Sequence, residues 1–243
     1  MKILFISLGC DKNLADSEEM LGLLTGNGHE IVDSEEEADA IVINTCCFIH
    51  DAKEESVNTI LEMAEYKKTG TCKILIVTGC MAQRYKEEIT EEIPEVDAVL
   101  GTTSYGDIVK ALNEAEAGHV FQEFKDINAL PEDSGRRVIT TGGHFGYLKI
   151  AEGCDKHCTY CIIPSLRGKF RSVPEERLLK QAEYMASQGV RELILVAQET
   201  TVYGTDLYGK KTLHILLKKL CQIKGIRWIR VLYCYPEEIT EEL

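Results

Sequence analysis

Four apolar runs, each followed by a segment of helical pattern, occupy the first half of the sequence. The runs KILFISL, DAIVINT, CKILIVTG and residues 96–100 have the length and composition of buried strands. Strands that alternate with helices form a parallel, doubly wound sheet with helices on its faces. The pattern therefore predicts an α/β domain over residues 1–125.

Three cysteines stand where three of these predicted strands end: Cys10, Cys46 and Cys80. Ligands of doubly wound sheets bind outside the carboxyl ends of the strands, so the three thiols are expected at one edge. A single free cysteine is most often an ordinary buried thiol, but three at one edge predict the ligands of an iron–sulfur cluster with one open iron. Cys47 competes with Cys46, although neighbours on an extended chain point in opposite directions and only one should face the site.

A second set of cysteines, Cys154, Cys158 and Cys161, has the spacing CxxxCxxC after the apolar run 147–151. One loop can gather three thiolates so close in sequence, and they can hold three irons of a 4Fe-4S cluster, whereas an electron-transfer cluster normally has four cysteines. Zinc is the alternative, with His157 as fourth ligand. His157 lies between the cysteines, however, and the chain has no second CxxC pair, so we interpret it as a loop residue.

The second half of the chain begins after a turn-rich segment, which predicts a linker at residues 126–143 and a second domain at 144–243. In this domain a helix opens at Pro174 and ends at Gly189, the strand ELILVAQ follows, and a helix from about Leu213 to Lys224 precedes the strand IRWIRVLYC. These units predict a partial (β/α) barrel with about three strands, whose chemistry lies at the carboxyl ends.

Composition limits the class of protein further. The net charge of −13 and the pI near 5.0 argue against a broad nucleic-acid-binding surface. Ten cysteines without a secretory signal predict a reducing, cytoplasmic environment, and no run approaches the length of a membrane span. We expect neither a membrane nor a direct nucleic-acid contact for this chain.

The segments SLGCDKNLADSE, NTCCF, TGC and GCDKHCTYCIIPSLRGKFRS together resemble the radical S-adenosylmethionine (SAM) methylthiotransferases. The resemblance covers essentially the whole chain and selects Cys46 over Cys47. It implies two 4Fe-4S clusters: an auxiliary cluster on Cys10, Cys46 and Cys80, and a radical cluster on Cys154, Cys158 and Cys161 whose open iron binds SAM.

Within that family, AQETTVYG, YCYPEEI and GCDKN resemble the branch that modifies an aspartate of ribosomal protein uS12 in the small ribosomal subunit. The tRNA-modifying branch typically has GCQMN instead of GCDKN. The resemblance implies that one SAM gives a 5′-deoxyadenosyl radical that attacks the aspartate β-carbon, a second gives the methyl group, and sulfur is delivered at the auxiliary cluster. It also implies an electron donor such as flavodoxin or ferredoxin.

Two other functions stay open at this point. One is methylthiolation of N6-isopentenyladenosine in tRNA, and the other is an iron–sulfur binding module without radical chemistry. The family also continues through the rest of the barrel into a small β-barrel domain beyond the position of Leu243, so we expect the chain to be a fragment.

Further residues are candidates for cofactor binding. Gln198 and Glu199 end a predicted strand where related enzymes contact the amino group of SAM, and Tyr160 is expected beside the adenine. Arg167 and Arg171 could bind the carboxylate of the cofactor or an acidic substrate, because guanidinium pairs well with carboxylates. A solvated strand end, loop arginines and simple packing are the alternatives. Cys72, Cys221 and Cys234 are assigned to no site.

Overall fold

A computed structural model describes residues 1–132 and 134–243 of the chain, and it divides into two compact units, residues 1–138 and 139–243. The division falls inside the predicted linker 126–143. The part of that linker up to Val138 belongs to the first unit, in which the Val138 amide donates to the Glu18 carbonyl oxygen (3.0 Å) and Arg137 pairs with the buried Glu18 carboxylate (2.6 Å). Within the described residues, the helices lack the length and apolar character needed to span a membrane.

The first unit contains a six-stranded sheet in which every pairing is parallel, in the order β2-β1-β3-β4-β5-β6. Its strands are β1 (Lys2–Ser7), β2 (Glu30–Val32), β3 (Ala40–Thr45), β4 (Ile74–Gly79), β5 (Ala98–Leu100) and β6 (Phe121–Glu123). Its helices are α1 (Asp11–Gly26), α2 (His50–Thr69), α3 (Cys80–Arg84), α4 (Lys86–Glu92) and α5 (Ile108–Glu116). The predicted α/β fold with a parallel sheet is confirmed.

Local details differ from the sequence prediction. The strand β2 was not predicted, because three residues are too short for a periodic signal. The residue pattern predicts a single helix from Ala82 to Glu91, but the structure has two helices, α3 and α4, which Tyr85 separates with a non-helical backbone (φ −123°, ψ 38°). The pattern also predicts a helix from Tyr105 to Ala117, and the structure begins it as a 3-10 turn (Tyr105–Asp107) before α5.

Alternation along the strands distributes the core between the two faces of the sheet. Residues at even positions of β3 and β4, such as Val42 and Ile76, pack with Met20 of α1 and Leu112 of α5. The intervening buried residues therefore point to the opposite face, where α2 packs on β3 and β4. Asn44 lies two residues after Val42 on β3, so its side chain is on the same face of the sheet and its amide points toward α1.

The second unit contains a three-stranded parallel sheet in the order β11-β10-β7, as a partial barrel requires. Its elements are β7 (Phe145–Lys149), β8 (Ala151–Glu152), α6 (Ile163–Arg167), β9 (Arg171–Ser172), α7 (Glu175–Ser187), β10 (Glu192–Val196), α8 (Thr205–Tyr208), α9 (Leu213–Leu220) and β11 (Trp228–Val231). The short strands β8 and β9 pair antiparallel on either side of the cysteine loop. The C-terminal segment PEEITEEL resembles the start of a further helix in sequence, but the structure has only a 3-10 turn there (Pro236–Glu238).

Candidate metal centres

Strand register brings Cys10, Cys46 and Cys80 to one edge of the first sheet. Thr45 pairs with Gly79, so Cys46 and Cys80 leave adjacent strands at the same level. Cys10 precedes α1, and its neighbour Gly9 passes directly over Cys46: a Cβ on Gly9 would lie 2.6 Å from the Cys46 Cβ. Gly9 also has φ +92°, a conformation that residues with side chains rarely adopt. The loop that carries Cys10 can therefore approach Cys46 this closely because glycine occupies position 9.

The buried side chain of Asn13 connects these loops. Its Nδ2 donates to the carbonyl oxygens of Leu8 (3.1 Å) and Thr45 (2.9 Å), and its Oδ1 lies 3.8 Å from the Cys80 sulfur. Asn44 donates in turn to the Asn13 carbonyl oxygen (2.9 Å). Sequence reasoning missed this network, although an asparagine at the end of a fully buried strand was a signal for it, because buried amides require partners.

Cys46 and Cys47 differ in what surrounds them. The Ser56 hydroxyl bridges the backbone of Cys46, accepting from its amide (3.0 Å) and donating to its carbonyl (2.8 Å). The Cys47 thiol donates to the Cys80 carbonyl oxygen (3.2 Å), and burial raises the pKa of Cys47 to about 12. The Cys47 thiol is therefore engaged within the protein, and the choice of Cys46 as the ligand stays a prediction.

The second set of cysteines lies in a loop closed by backbone contacts. The Cys154 amide donates to the Gly168 carbonyl oxygen (3.1 Å), and the Lys156 amide donates to the Cys154 sulfur (3.4 Å). Gly153 has φ +73°, and a Cβ there would collide with the Lys169 carbonyl oxygen. Cys154, Cys158 and Cys161 are all partly exposed, which suits thiols that bind an external group.

Charged and aromatic groups surround this loop. The Lys156 ammonium lies 3.4 Å from Glu199, 3.2 Å from Glu238 and 4.1 Å from the centre of the Tyr235 ring. Burial is the main cause that raises the pKa of Cys154, and the Glu199 carboxylate adds to it. The loop is thus surrounded by an ion-pair network that the sequence did not predict, since its members are far apart in the chain.

The predicted cofactor residues have different environments. Gln198 is buried after β10, and its Oε1 has no hydrogen-bond partner in the part of the chain that the structure describes. Glu199 beside it is also buried and accepts a hydrogen bond from Thr201 (2.5 Å). The Tyr160 side chain is exposed. A buried acceptor without a donor fits a site for a cationic ligand group, and the binding roles of these residues stay predictions.

The two arginines after the cysteine loop have protein partners. Arg167 is buried and pairs with Glu152 (3.4 Å), which also pairs with Lys149. Burial opposes ionisation of Glu152, but the two cations hold its pKa down to about 2. Arg171 donates to the Arg167 carbonyl oxygen (3.1 Å). The Arg167 guanidinium therefore supports the strand before the loop, and its predicted contact with the cofactor remains untested.

Among residues 1–132 and 134–243, no three His, Cys, Asp or Glu side chains converge closely enough to hold a single metal ion. His157, the alternative zinc ligand, is exposed. Within the described residues the ten cysteines form no disulfide; Cys72 is buried and its thiol donates to the Ile74 carbonyl oxygen (3.3 Å), whereas Cys221 and Cys234 are exposed.

Comparison with known proteins identifies both regions. Residues 2–101 match the uncharacterized protein family UPF0004, and residues 148–243 match the radical SAM superfamily. The chain thus contains a region that matches the radical SAM superfamily after an N-terminal region that matches UPF0004, and these matches imply an iron–sulfur cluster and SAM.

Similarity over the whole sequence is more specific. The chain is 66% identical over 243 residues to the ribosomal protein uS12 methylthiotransferase RimO of Lachnoclostridium phytofermentans and 53% identical to that of Clostridioides difficile. It covers 55% of each, so it spans about half the length of the curated relatives that it matches. These matches confirm the resemblance of the motifs to the radical SAM methylthiotransferases.

Solved structures share the fold at low identity. The radical SAM methyltransferase TsrM from Kitasatospora setae superposes with a TM-score of 0.62 at 13% identity, covering 99% of this chain and 55% of that one. The cobalamin-dependent SAM radical enzyme OxsB gives a TM-score of 0.54 at 15% identity, covering 99% and 40%. The partial radical SAM fold is therefore confirmed.

Proposed function

We propose that this chain supplies the cluster-binding part of an enzyme that methylthiolates the β-carbon of an aspartate in ribosomal protein uS12. The observation that carries the proposal is the presence of two separate cysteine triads, one at the sheet edge of the first unit and one in the loop of the second. Relatives that are 66% and 53% identical over the whole chain and bear the name of this activity support the choice of substrate.

Each triad has the donors that a 4Fe-4S cluster with one open iron requires. We assign Cys10, Cys46 and Cys80 to the auxiliary cluster, and Cys154, Cys158 and Cys161 to the radical cluster. When bound at such a cluster, SAM would supply the 5′-deoxyadenosyl radical, which can remove hydrogen from an unactivated carbon.

The residues of the chain would hold the cluster ligands in place and orient SAM. The asparagine network at positions 13 and 44 holds the three loops of the first unit in one arrangement. In the second unit, the free acceptor of Gln198 and the carboxylate of Glu199 suit the positively charged amino group of SAM. The remaining groups of the cofactor are assigned by resemblance alone, with Tyr160 beside the adenine and Arg167 at the carboxylate.

Two partners follow from the proposed reaction. The substrate is uS12, free or in the small ribosomal subunit, and the net charge of −13 suits a protein substrate better than bare RNA. Reductive cleavage of SAM also needs single electrons, which a flavodoxin or a ferredoxin would supply.

Mass spectrometry of cells with and without the gene tests the proposed function. We expect the methylthio group to disappear from the uS12 aspartate without the gene, and to return with wild-type protein but not with C154A/C158A/C161A. Nucleosides of tRNA from the same cells are the internal control. Loss of a methylthio group from tRNA alone would assign the chain to the tRNA-modifying branch, and an unchanged uS12 would contradict the proposal.

A further inference from the structure

The side chain of Lys156 joins the cysteine loop to the ends of two strands. Its ammonium lies 3.4 Å from Glu199, which follows β10, and 3.2 Å from Glu238 in the turn after β11. The Tyr235 ring, also after β11, lies 4.1 Å below the ammonium. We call Glu199, Tyr235 and Glu238 the Lys156 pocket. Its members come from positions at least 43 residues after Lys156, so the lysine connects elements that the backbone does not.

The pocket is built rather than accidental. The Glu199 side chain is only 2% exposed and that of Lys156 is 27% exposed, so the ion pair is shielded from the screening that weakens surface pairs. A cation over an aromatic face gains further attraction when it is partly desolvated.

The strand-end segment that supplies Tyr235 is itself fixed. The Thr200 hydroxyl donates to the Leu232 carbonyl oxygen (2.7 Å), and the Tyr235 amide donates to the Thr201 hydroxyl (3.4 Å). Between these two contacts, Tyr233 has φ +59°, and no other non-glycine residue in the described part of the chain has a positive φ. A bulky residue in that region persists only where its surroundings enforce it, which here aims Tyr235 at the lysine.

The backbone of Lys156 touches the metal site directly, since its amide donates to the Cys154 sulfur (3.4 Å). We propose that Lys156 is a positioning residue that fixes the CxxxCxxC loop against the ends of β10 and β11. The inference rests on the proposed function for its purpose, which is to hold the first cysteine in place when the cluster binds, but the loop order itself can be measured without metal.

Hydrogen exchange of the metal-free chain tests the positioning role. In Lys156→Met, amides of the loop 153–162 should exchange about tenfold faster, because losing the pocket contacts eases local opening. Lys156→Arg should restore protection, since its guanidinium can reach the same carboxylates. Lys211→Met is the matched control: it removes the same charge and a 2.8 Å contact with the same Glu238, but Lys211 is not in the loop.

The second measurement uses the reconstituted cluster. In a C10A/C46A/C80A background, Lys156→Met should change the electron-spin signal of the remaining cluster and speed its loss to a chelator, whereas Lys156→Arg and Lys211→Met should not. Tyr235→Leu is the second variant, for use if Lys156→Met fails to fold. It removes the ring contact but leaves the lysine, and it should change the signal and the rate of cluster loss in the same direction.

The outcomes separate the two proposals. Equal loop exchange in Lys156→Met and Lys211→Met would overturn the positioning role even if the cluster forms. A wild-type chain that holds no iron on the CxxxCxxC loop would overturn the proposed function, and the exchange comparison would still decide the role of Lys156.

Discussion

The two cysteine sites reach a similar donor set by opposite routes. The first is assembled from three loops separated by 36 and 34 positions in the sequence, and it exists only when β1, β3 and β4 lie in register. The second fits within eight residues of one loop. Formation of the first site is therefore tied to the folding of a whole sheet, whereas the second depends on local closure.

Their supporting contacts differ in the same way. The hydrogen bonds that fix the first site come from neutral side chains, those of Asn13, Asn44 and Ser56, and the Lys12–Asp11 ion pair lies next to Cys10 in the chain. Charges surround the second, in the ion pairs of Lys156 with Glu199 and of Arg167 with Glu152. Neutral hydrogen bonds can hold the loops of the first site in place without adding a net charge. Ion pairs can hold the loop of the second site in place and also create an electrostatic field near a bound cluster.

Removing the cysteines has the largest expected effect and tests whether the two sites are independent. After anaerobic reconstitution we expect about eight irons per chain, falling by about half in C154A/C158A/C161A and by about half in C10A/C46A/C80A. Iron and sulfide analysis measures this directly.

The control is C221A/C234A, which removes two exposed cysteines outside both sites and should leave the iron content unchanged. Loss of all iron from either triple variant would show that the sites are coupled, and stoichiometric zinc in place of iron would contradict the cluster assignment.

Glu152→Gln tests the buried charges beneath the second site. It leaves Lys149 and Arg167 without their shared carboxylate, so we expect the free energy of unfolding to fall by about 3 kcal/mol. Urea denaturation of the metal-free chain measures the loss. Glu192→Gln removes the exposed partner of Arg230 and should cost less than about 1 kcal/mol. Equal losses would show that burial adds nothing to the pair.

Asn13→Ala tests the neutral network of the first site. It leaves the Leu8 and Thr45 carbonyl oxygens without this donor, and we expect a loss of about 2 kcal/mol together with weaker iron retention on the first triad. Asn58→Ala, on the exposed side of α2, serves as the control and should change neither quantity. An effect on the second triad instead would break the contrast between the sites.

The difference between Gly9→Ala and Gly28→Ala is the smallest effect tested, and it separates crowding from backbone strain. Gly9 and Gly28 both have positive φ (92° and 85°), but only at Gly9 would a Cβ meet another side chain, that of Cys46. In thermal unfolding, backbone strain should destabilise both Gly9→Ala and Gly28→Ala by about 1 kcal/mol. Crowding against Cys46 should add about 1 kcal/mol for Gly9→Ala. Only Gly9→Ala should weaken iron binding by the first triad.

Much of the architecture followed from sequence periodicity. Apolar runs of strand length alternating with helical segments were enough to predict the parallel sheet, because each period reflects which side of an element is buried. Boundaries were less accurate: Tyr85 divides a predicted helix, and β2 is too short to produce a pattern. Short elements are decided by their neighbours rather than by their own residues.

The candidate sites divide in the same manner. The motif CxxxCxxC and the cysteines at three strand ends were visible in the sequence, since ligand type and spacing are local properties. The partners of Arg167 and Lys156 were not visible, because Glu152 lies 15 positions away and Glu238 lies 82 positions away. No local pattern indicates which distant carboxylate a lysine or arginine will meet.

By itself, the sequence determined the class of fold, the two sets of cysteines and the family, all of which depend on period, residue type and spacing. Only the tertiary structure decided that Asn13 ties three loops together, that the Cys47 thiol is occupied by the Cys80 carbonyl oxygen, and that Lys156 reaches two strand ends. The physical reason is that strand register and loop closure set the distances between residues far apart in the chain, and hydrogen bonds and ion pairs form only at those distances.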